Sequence, residues 1–233
     1  MKKIIYWRLF LLPIYVLMIG CDFSGIGDGL WSEGEYVPPP PVTPCQIDKF
    51  DEEMTDSRDG QVYGVVNING TYWMAENLNY KTDDSWCYDD DPDLGEIYGR
   101  LYTSDAARQA CPDGWRLPTD EEWVEMIKYF DPDYVDTLYS ARSTIAFDRL
   151  TTCSNNGFNA QMGGYRYGNH RYSQMGHVGY YWSGTDIGPG YTRFYWFESQ
   201  FRWLWRGTMS EPKGYSCRCI KDGPFGYLTT FAR

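Results

Sequence analysis

Between Pro118 and Trp123 the chain reads PTDEEW, a stretch that suits the first turn of a helix and little else. Thr119 stands three residues before Glu122, so its hydroxyl can accept from the Glu122 amide while the carboxylate reaches back to the Thr119 amide. Asp120 and Glu121 add negative charge where a helix is electropositive. Trp123, Ile127 and Phe130 then repeat at i, i+4 and i+7 and predict one buried stripe. The adjacent carboxylates look like a catalytic pair, but a carboxylate committed to a cap is poorly placed to transfer protons. The spacing therefore predicts architecture, not an active site.

Other local signals are similarly specific. Thr103 can cap a short helix over Ser104–Ala110 whose small apolar face is Ala106, Ala107 and Ala110. QVYGVVNI and TYWMA flank Asn69-Gly70, a dipeptide that accepts positive φ at both centres of a type I′ turn, which predicts a hairpin. CYDDDPDLGEIYG brings Asp89, Asp90, Asp91 and Asp93 together, oxygen donors of the kind calcium takes. It lacks the twelve-residue EF-hand pattern, and Asp-Pro-Asp before Gly is ordinary turn chemistry, so a turn is expected.

Beyond Asp133 the chain is rich in Gly, Tyr and Trp, and GFNAQMGGYRYG and GYYWSGT predict short strands and long surface loops. TRFYWFESQFRWLW places apolar groups on both alternating faces, with Phe201, Trp203 and Trp205 together on one. One face meets the core; the other stays accessible unless loops cover it. YSCRCIKD reads as a terminal strand that sets Cys217 and Cys219 on the same side.

The first 20 residues carry Lys2, Lys3 and Arg8, an apolar run of 11 residues from Leu9 to Ile19, and Gly20 before Cys21. Such a run is too short to span a bilayer, which takes about 20 residues, and suits an export signal. The Gly20-Cys21 junction resembles a bacterial lipoprotein signal, with Met18 in place of the commoner Leu; it makes Cys21 the expected lipidation site. Residues 21–50, glycine-rich and then carrying Pro38–Pro41, are expected to be a flexible tether. A single domain is expected over 51–222, with a tail at 223–233.

Of 21 Lys and Arg, three leave with the signal, so 18 face 32 acidic residues and the net charge becomes −14. That excludes nucleic acid as a partner on electrostatic grounds. Six further cysteines, Cys45, Cys87, Cys111, Cys153, Cys217 and Cys219, form an even set that suggests up to three disulfides in an exported chain, with the pairing open. Only His170 and His177 are histidines and no CxxC pair occurs, so no zinc site can be assembled and no cofactor is expected.

GWRLPTDEEW, GGYR, YWSGT and CRCIKD, with DSRDGQVYGVV, WMAENLNY and YGRLYT, resemble the Fibrobacter succinogenes major paralogous domain in order and over about Asp56 to Asp222. GWRLPTDEEW alone also resembles the helix-start block of the formylglycine-generating enzyme group, whose fold is related to C-type lectins. The resemblance implies an α+β fold: two helices against a small antiparallel sheet, paired chain ends, and a long loop-rich, aromatic insertion. Family members often carry a cysteine soon after the one matching Cys87, where this chain has Asp93 and Leu94. With the family's usual local bridge lacking its second cysteine, the resemblance implies Cys45–Cys87, Cys111–Cys219 and Cys153–Cys217 as the expected pairing.

No reaction comes with the family. The expected function is a non-catalytic binding module, lipid-anchored and extracytoplasmic at the bacterial cell envelope (outer membrane or cell surface), that contacts polysaccharide or an envelope protein. Trp182, Tyr191, Tyr195, Trp203 and Trp205 are its expected contact residues, since exposed Tyr and Trp stack on sugars or anchor proteins. Two alternatives stand beside it: a formylglycine-generating-like thiol oxidase using Cys217 and Cys219, and a purely structural envelope component. A lectin-type calcium site lacks support, because Glu211-Pro212-Lys213 puts an ammonium where an oxygen ligand is needed.

Overall fold

Short-range signals fix most element boundaries in the computed structural model, which describes residues 50–136, 142–151, 156–210 and 213–222. The export signal, Cys21, the tether, Cys45, Cys153, the Glu211-Pro212 pair and the tail lie outside the described residues. Strands β1 (Glu52–Thr55), β2 (Val62–Ile68) and β3 (Thr71–Met74) form a meander. Its second turn is the expected one: Asn69 and Gly70 both take positive φ, 54° and 87°.

Four helices follow among the described residues. Helix α1 (Pro92–Tyr98) occupies the acidic segment expected to be a turn. The Asp91 carboxylate accepts from the Asp93 amide at 2.9 Å and Pro92 opens the helix, so the Asp-Pro pair starts a helix here. Helix α2 (Ser104–Ala110) is capped by Thr103, as expected. Helix α3 (Asp120–Phe130) has both halves of the capping box; Trp123 and Ile127 are buried and Phe130 partly so. The unanticipated α4 (Thr144–Thr151) is started by Ser143, whose hydroxyl accepts from the Ala146 amide at 2.8 Å.

The remaining strands are β4 (Ser85–Trp86), β5 (Leu101–Tyr102), β6 (Arg142–Ser143), β7 (Tyr165–Arg166), β8 (Tyr172–Ser173), β9 (Val178–Gly188), β10 (Tyr191–Glu198), β11 (Trp203–Met209), β12 (Tyr215–Ser216) and β13 (Ile220–Asp222). They complete a four-stranded sheet ordered β1-β2-β3-β13, a seven-stranded sheet ordered β4-β5-β12-β9-β10-β11-β6, and a β7-β8 ribbon. Pairing is antiparallel except between β12 and β9. The fold class is therefore α+β, but richer in sheet than two helices on a small sheet. The stretch expected to be loops is largely the long β9-β10-β11 meander. One of its faces is covered by helices and the other is covered in part, so few polar positions are needed and its sequence alternates little.

One face of that meander, bearing Tyr181, Tyr195, Phe197 and Leu204, packs against α3 and α4. Trp123 sits at the centre, stacked on Tyr195 at 4.8 Å and edge-on to Trp73 at 5.1 Å. Asp120, at the start of α3, ties helix to sheet: it accepts from the Tyr195 hydroxyl at 2.6 Å and pairs with Arg206 Nε at 3.1 Å. Two carboxylates of the opening motif, Asp120 and Glu122, thus have structural partners. Glu122 also forks onto Arg116, at 2.7 and 2.6 Å. No helix among the described residues is long and apolar enough to cross a membrane.

Candidate functional site

The opposite face of the meander carries the same kind of side chain with a different outcome. Register places Tyr180, Trp196, Trp205 and Arg142 in one row across β9, β10, β11 and β6. Trp182 and Phe194 lie one pair further along. There Tyr215, on the neighbouring strand β12 of the same sheet, lies 4.5 Å from the Trp182 ring and 5.2 Å from the Phe194 ring, and both are buried in a cluster that includes Ala107 and Ala110 of α2. Gly207 belongs to this arrangement, because a Cβ at that position would meet the Phe194 ring.

Away from that cover the rings emerge as a continuous ridge. Tyr215 stacks on Tyr180 at 4.7 Å, Tyr180 meets Trp196 at 5.7 Å, and Trp196 stacks on Trp205 at 5.1 Å. Trp205 meets Trp203 at 5.6 Å, and Trp203 stacks on Phe201 at 4.7 Å. Exposure rises along the series from 1% at Tyr215 to 49% at Phe201. The Arg142 guanidinium lies over both Trp205, at 4.0 Å, and Trp203, at 4.4 Å. The indole Nε1 of Trp205 is buried without a hydrogen-bond partner.

This geometry changes the expected contact set. Trp182 is 1% exposed and its indole donates to the Tyr102 carbonyl at 2.7 Å; Tyr195 is wholly buried against Trp123 and Asp120. Both are core residues, because each points into a space that another element fills. Tyr191 is exposed, but it begins β10, five residues and about 17 Å of strand from Trp196, and does not join the ridge. Trp203 and Trp205 are partly exposed and do belong to it. Sequence reasoning left Trp196, Phe201 and Arg142 out of the contact set. The alternation of Phe201, Trp203 and Trp205 pointed to the first strand; the pairing with Trp196 and Arg142 is a matter of register, which a single sequence does not carry.

A second cluster gathers sulfur. Cys111, at the end of α2, is bonded to Cys219 before β13, the pairing expected for these two. The expected Cys45–Cys87 and Cys153–Cys217 bridges are corrected: Cys87 and Cys217 are buried free thiols, while Cys45 and Cys153 lie outside the described residues. Cys217 Sγ lies 3.8 Å from Cys219 Sγ and 3.9 Å from Cys111 Sγ, and burial pushes its pKa well above the ordinary thiol range. Cys87 instead accepts from Arg100 Nη1 at 3.0 Å. Between the two terminal cysteines Arg218 points the other way and is fully buried. Its guanidinium donates to Asn77 Oδ1 at 2.6 Å and to the Phe158 carbonyl, which explains how a cation is tolerated there.

Fold and site together define an α+β domain whose last strand closes its first sheet, stapled by one bridge among the described residues and bearing a half-open aromatic ridge. The model of the Fibrobacter succinogenes major domain matches residues 66–221, and the chain belongs to that family. No curated protein and no solved structure matches the chain significantly.

Proposed function

We propose that this chain is a non-catalytic binding module of the bacterial cell envelope, anchored by lipid at Cys21, held outside the cytoplasm on residues 21–50, and engaging neutral polysaccharide through the ridge. The observation that carries the reading is the asymmetry of one meander. Tyr181, Tyr195 and Phe197 are buried on one face, while Trp196, Trp203, Trp205 and Phe201 stay partly open on the other beside Arg142. Rings inside the ridge turn their faces to one another and present edges. Phe201, at the end, stacks on Trp203 alone among the described residues and offers a face for sugar C–H groups. Arg142 supplies donors for hydroxyls. The acidic body disfavours anionic polymers, which points to neutral ones.

A C-type lectin-like scaffold, akin to that of the formylglycine-generating enzyme group, is part of this reading. Its support is the pairing of β13 with β3, the capped α3, and the meander inserted before the last strands.

Affinity electrophoresis of the detergent-solubilised full chain in gels containing xylan, β-glucan or mannan tests the ligand class. Retardation by at least one polymer is expected, with Trp203→Ala and Trp205→Ala each weakening it tenfold or more, about the 1.4 kcal/mol that separates hot spots from rim contacts. Unretarded migration in every gel ends the glycan reading. Cross-linking to an envelope protein that the same substitutions abolish would replace sugar by protein as the occupant.

A further inference from the structure

The sulfur cluster carries an inference independent of the ridge. A bridge and a free thiol normally lie apart in a folded domain; here the Cys217 sulfur touches both halves of the Cys111–Cys219 bridge, at 3.9 and 3.8 Å. All three sulfurs lie within 4.8 Å of one another, so the Cys217 sulfur is within side-chain reach of the bridge. Access differs among them. Cys217 and Cys219 are wholly buried, whereas Cys111, at the surface end of α2, is partly exposed.

We propose that Cys111, Cys217 and Cys219 form a thiol-exchange site, with Cys111 as the sulfur that receives an external thiol and Cys217 as the sulfur that expels it. An external thiolate bonds to Cys111 Sγ; the Cys111–Cys219 bond breaks, its electron pair leaves on Cys219, and that sulfur takes up a proton. Cys217 then gives up its proton and bonds to Cys111 Sγ, and the external thiolate departs. The bridge has moved from Cys219 to Cys217. One free thiol precedes and follows the cycle, and no oxidant or reductant is consumed. The ligand class is a small thiol or a cysteine of another protein. The Cys219 sulfur released in the first step lies 3.8 Å from Cys217 Sγ and takes the proton that Cys217 gives up.

The sequence makes the linkage easy to read, because Arg218 separates the two terminal cysteines. Trypsin releases Cys111 in Gln109–Arg116, Cys217 in Gly214–Arg218 and Cys219 in Cys219–Lys221. The folded full chain is incubated with a trace of cysteamine, alkylated, digested and mapped without reduction. The expected result is the Cys111–Cys217 linked peptide, with Cys219 alkylated, in at least about one molecule in ten, since two bridges differing by about 1.4 kcal/mol still populate tenfold apart. A second arm treats Cys219→Ser with cystamine, which oxidises the pair and is itself reduced to two cysteamines, and is expected to bridge Cys111 to Cys217. Recovery of the Cys111–Cys219 peptide alone at every cysteamine level short of full reduction overturns the proposal. So does alkylation of both Cys111 and Cys217 in a Cys219→Ser chain whose circular dichroism matches the wild type. Should that variant not fold, the wild-type map decides alone.

Discussion

The two faces of the β9-β10-β11 meander are built from the same residue types, yet one is core and the other is surface. On the helix side, each buried tyrosine hydroxyl has a partner: Tyr181 donates to the Gln161 carbonyl at 2.8 Å and Tyr195 to Asp120. On the ridge side, tryptophans and phenylalanine stack on one another, and Arg142 lies over Trp203 and Trp205. Aromatic content therefore says nothing about accessibility. What decides it is what lies opposite: on the ridge side Trp182 and Phe194 are buried in a cluster, Tyr180 and Trp196 pack against its edge, and Trp203 and Trp205 lie beyond it.

Four substitutions bear on this contrast. Trp123→Ala removes the ring on which the helix-side face converges and should cost about 3–5 kcal/mol in urea unfolding; a loss under about 1 kcal/mol would mean that this face is not the centre of the core. Tyr195→Phe takes a buried hydrogen bond from Asp120 and should cost about 1–2 kcal/mol by thermal melting. If it is neutral, Arg206 and Arg193 suffice for that carboxylate.

Glu122 adds a pH dependence to the same side. Burial pushes its carboxyl upward, but the Arg116 hydrogen bonds and the Thr119 amide outweigh this and hold it below the ordinary Glu range. A depressed folded pKa contributes stability above the unfolded value, and that stability is lost as pH falls through the folded one. Arg116 is 42% exposed, so solvent screening trims the effect. Wild type should lose about 0.5–1 kcal/mol more than Glu122→Gln on acidification from neutrality; parallel acid titrations of the two would show that the cap does not depend on charge. Phe201→Ala, at the open end of the ridge, should change stability by less than about 0.5 kcal/mol, and a larger loss in denaturant melts would reassign that ring to structure.

Much of the fold was legible because its signals are local. Thr119 with Glu122, Thr103 before Ser104, and Asn69-Gly70 each satisfy or permit their own backbone geometry, so neighbours along the chain are sufficient to read them. Helix α1 was readable too, since Asp91-Pro92 is a start signal as well as a turn signal; the turn reading won only because more carboxylates and a glycine surrounded it. The ridge was half legible. Alternation separated Trp203 and Trp205 from Leu204, but which side is covered depends on residues far away, among them Tyr215 and Trp123. Trp182 and Tyr195 were misplaced for that reason. The sulfurs show the same limit: the bridge joins residues 108 positions apart, a distance at which spacing carries no information.

The buried Arg218 bears on the order in which this polypeptide is assembled. Its guanidinium donates to Asn77, 141 positions earlier, and to the carbonyls of Phe158 and Asn159, and the half-buried Glu76 carboxylate supplies opposite charge. Closing a loop of that length costs about 4 kcal/mol in chain entropy before any contact repays it. During synthesis, therefore, the first sheet waits for its fourth strand until nearly the whole domain has left the ribosome, and a nascent chain stalled before Gly214 leaves the β3 edge that pairs with β13 without its partner strand.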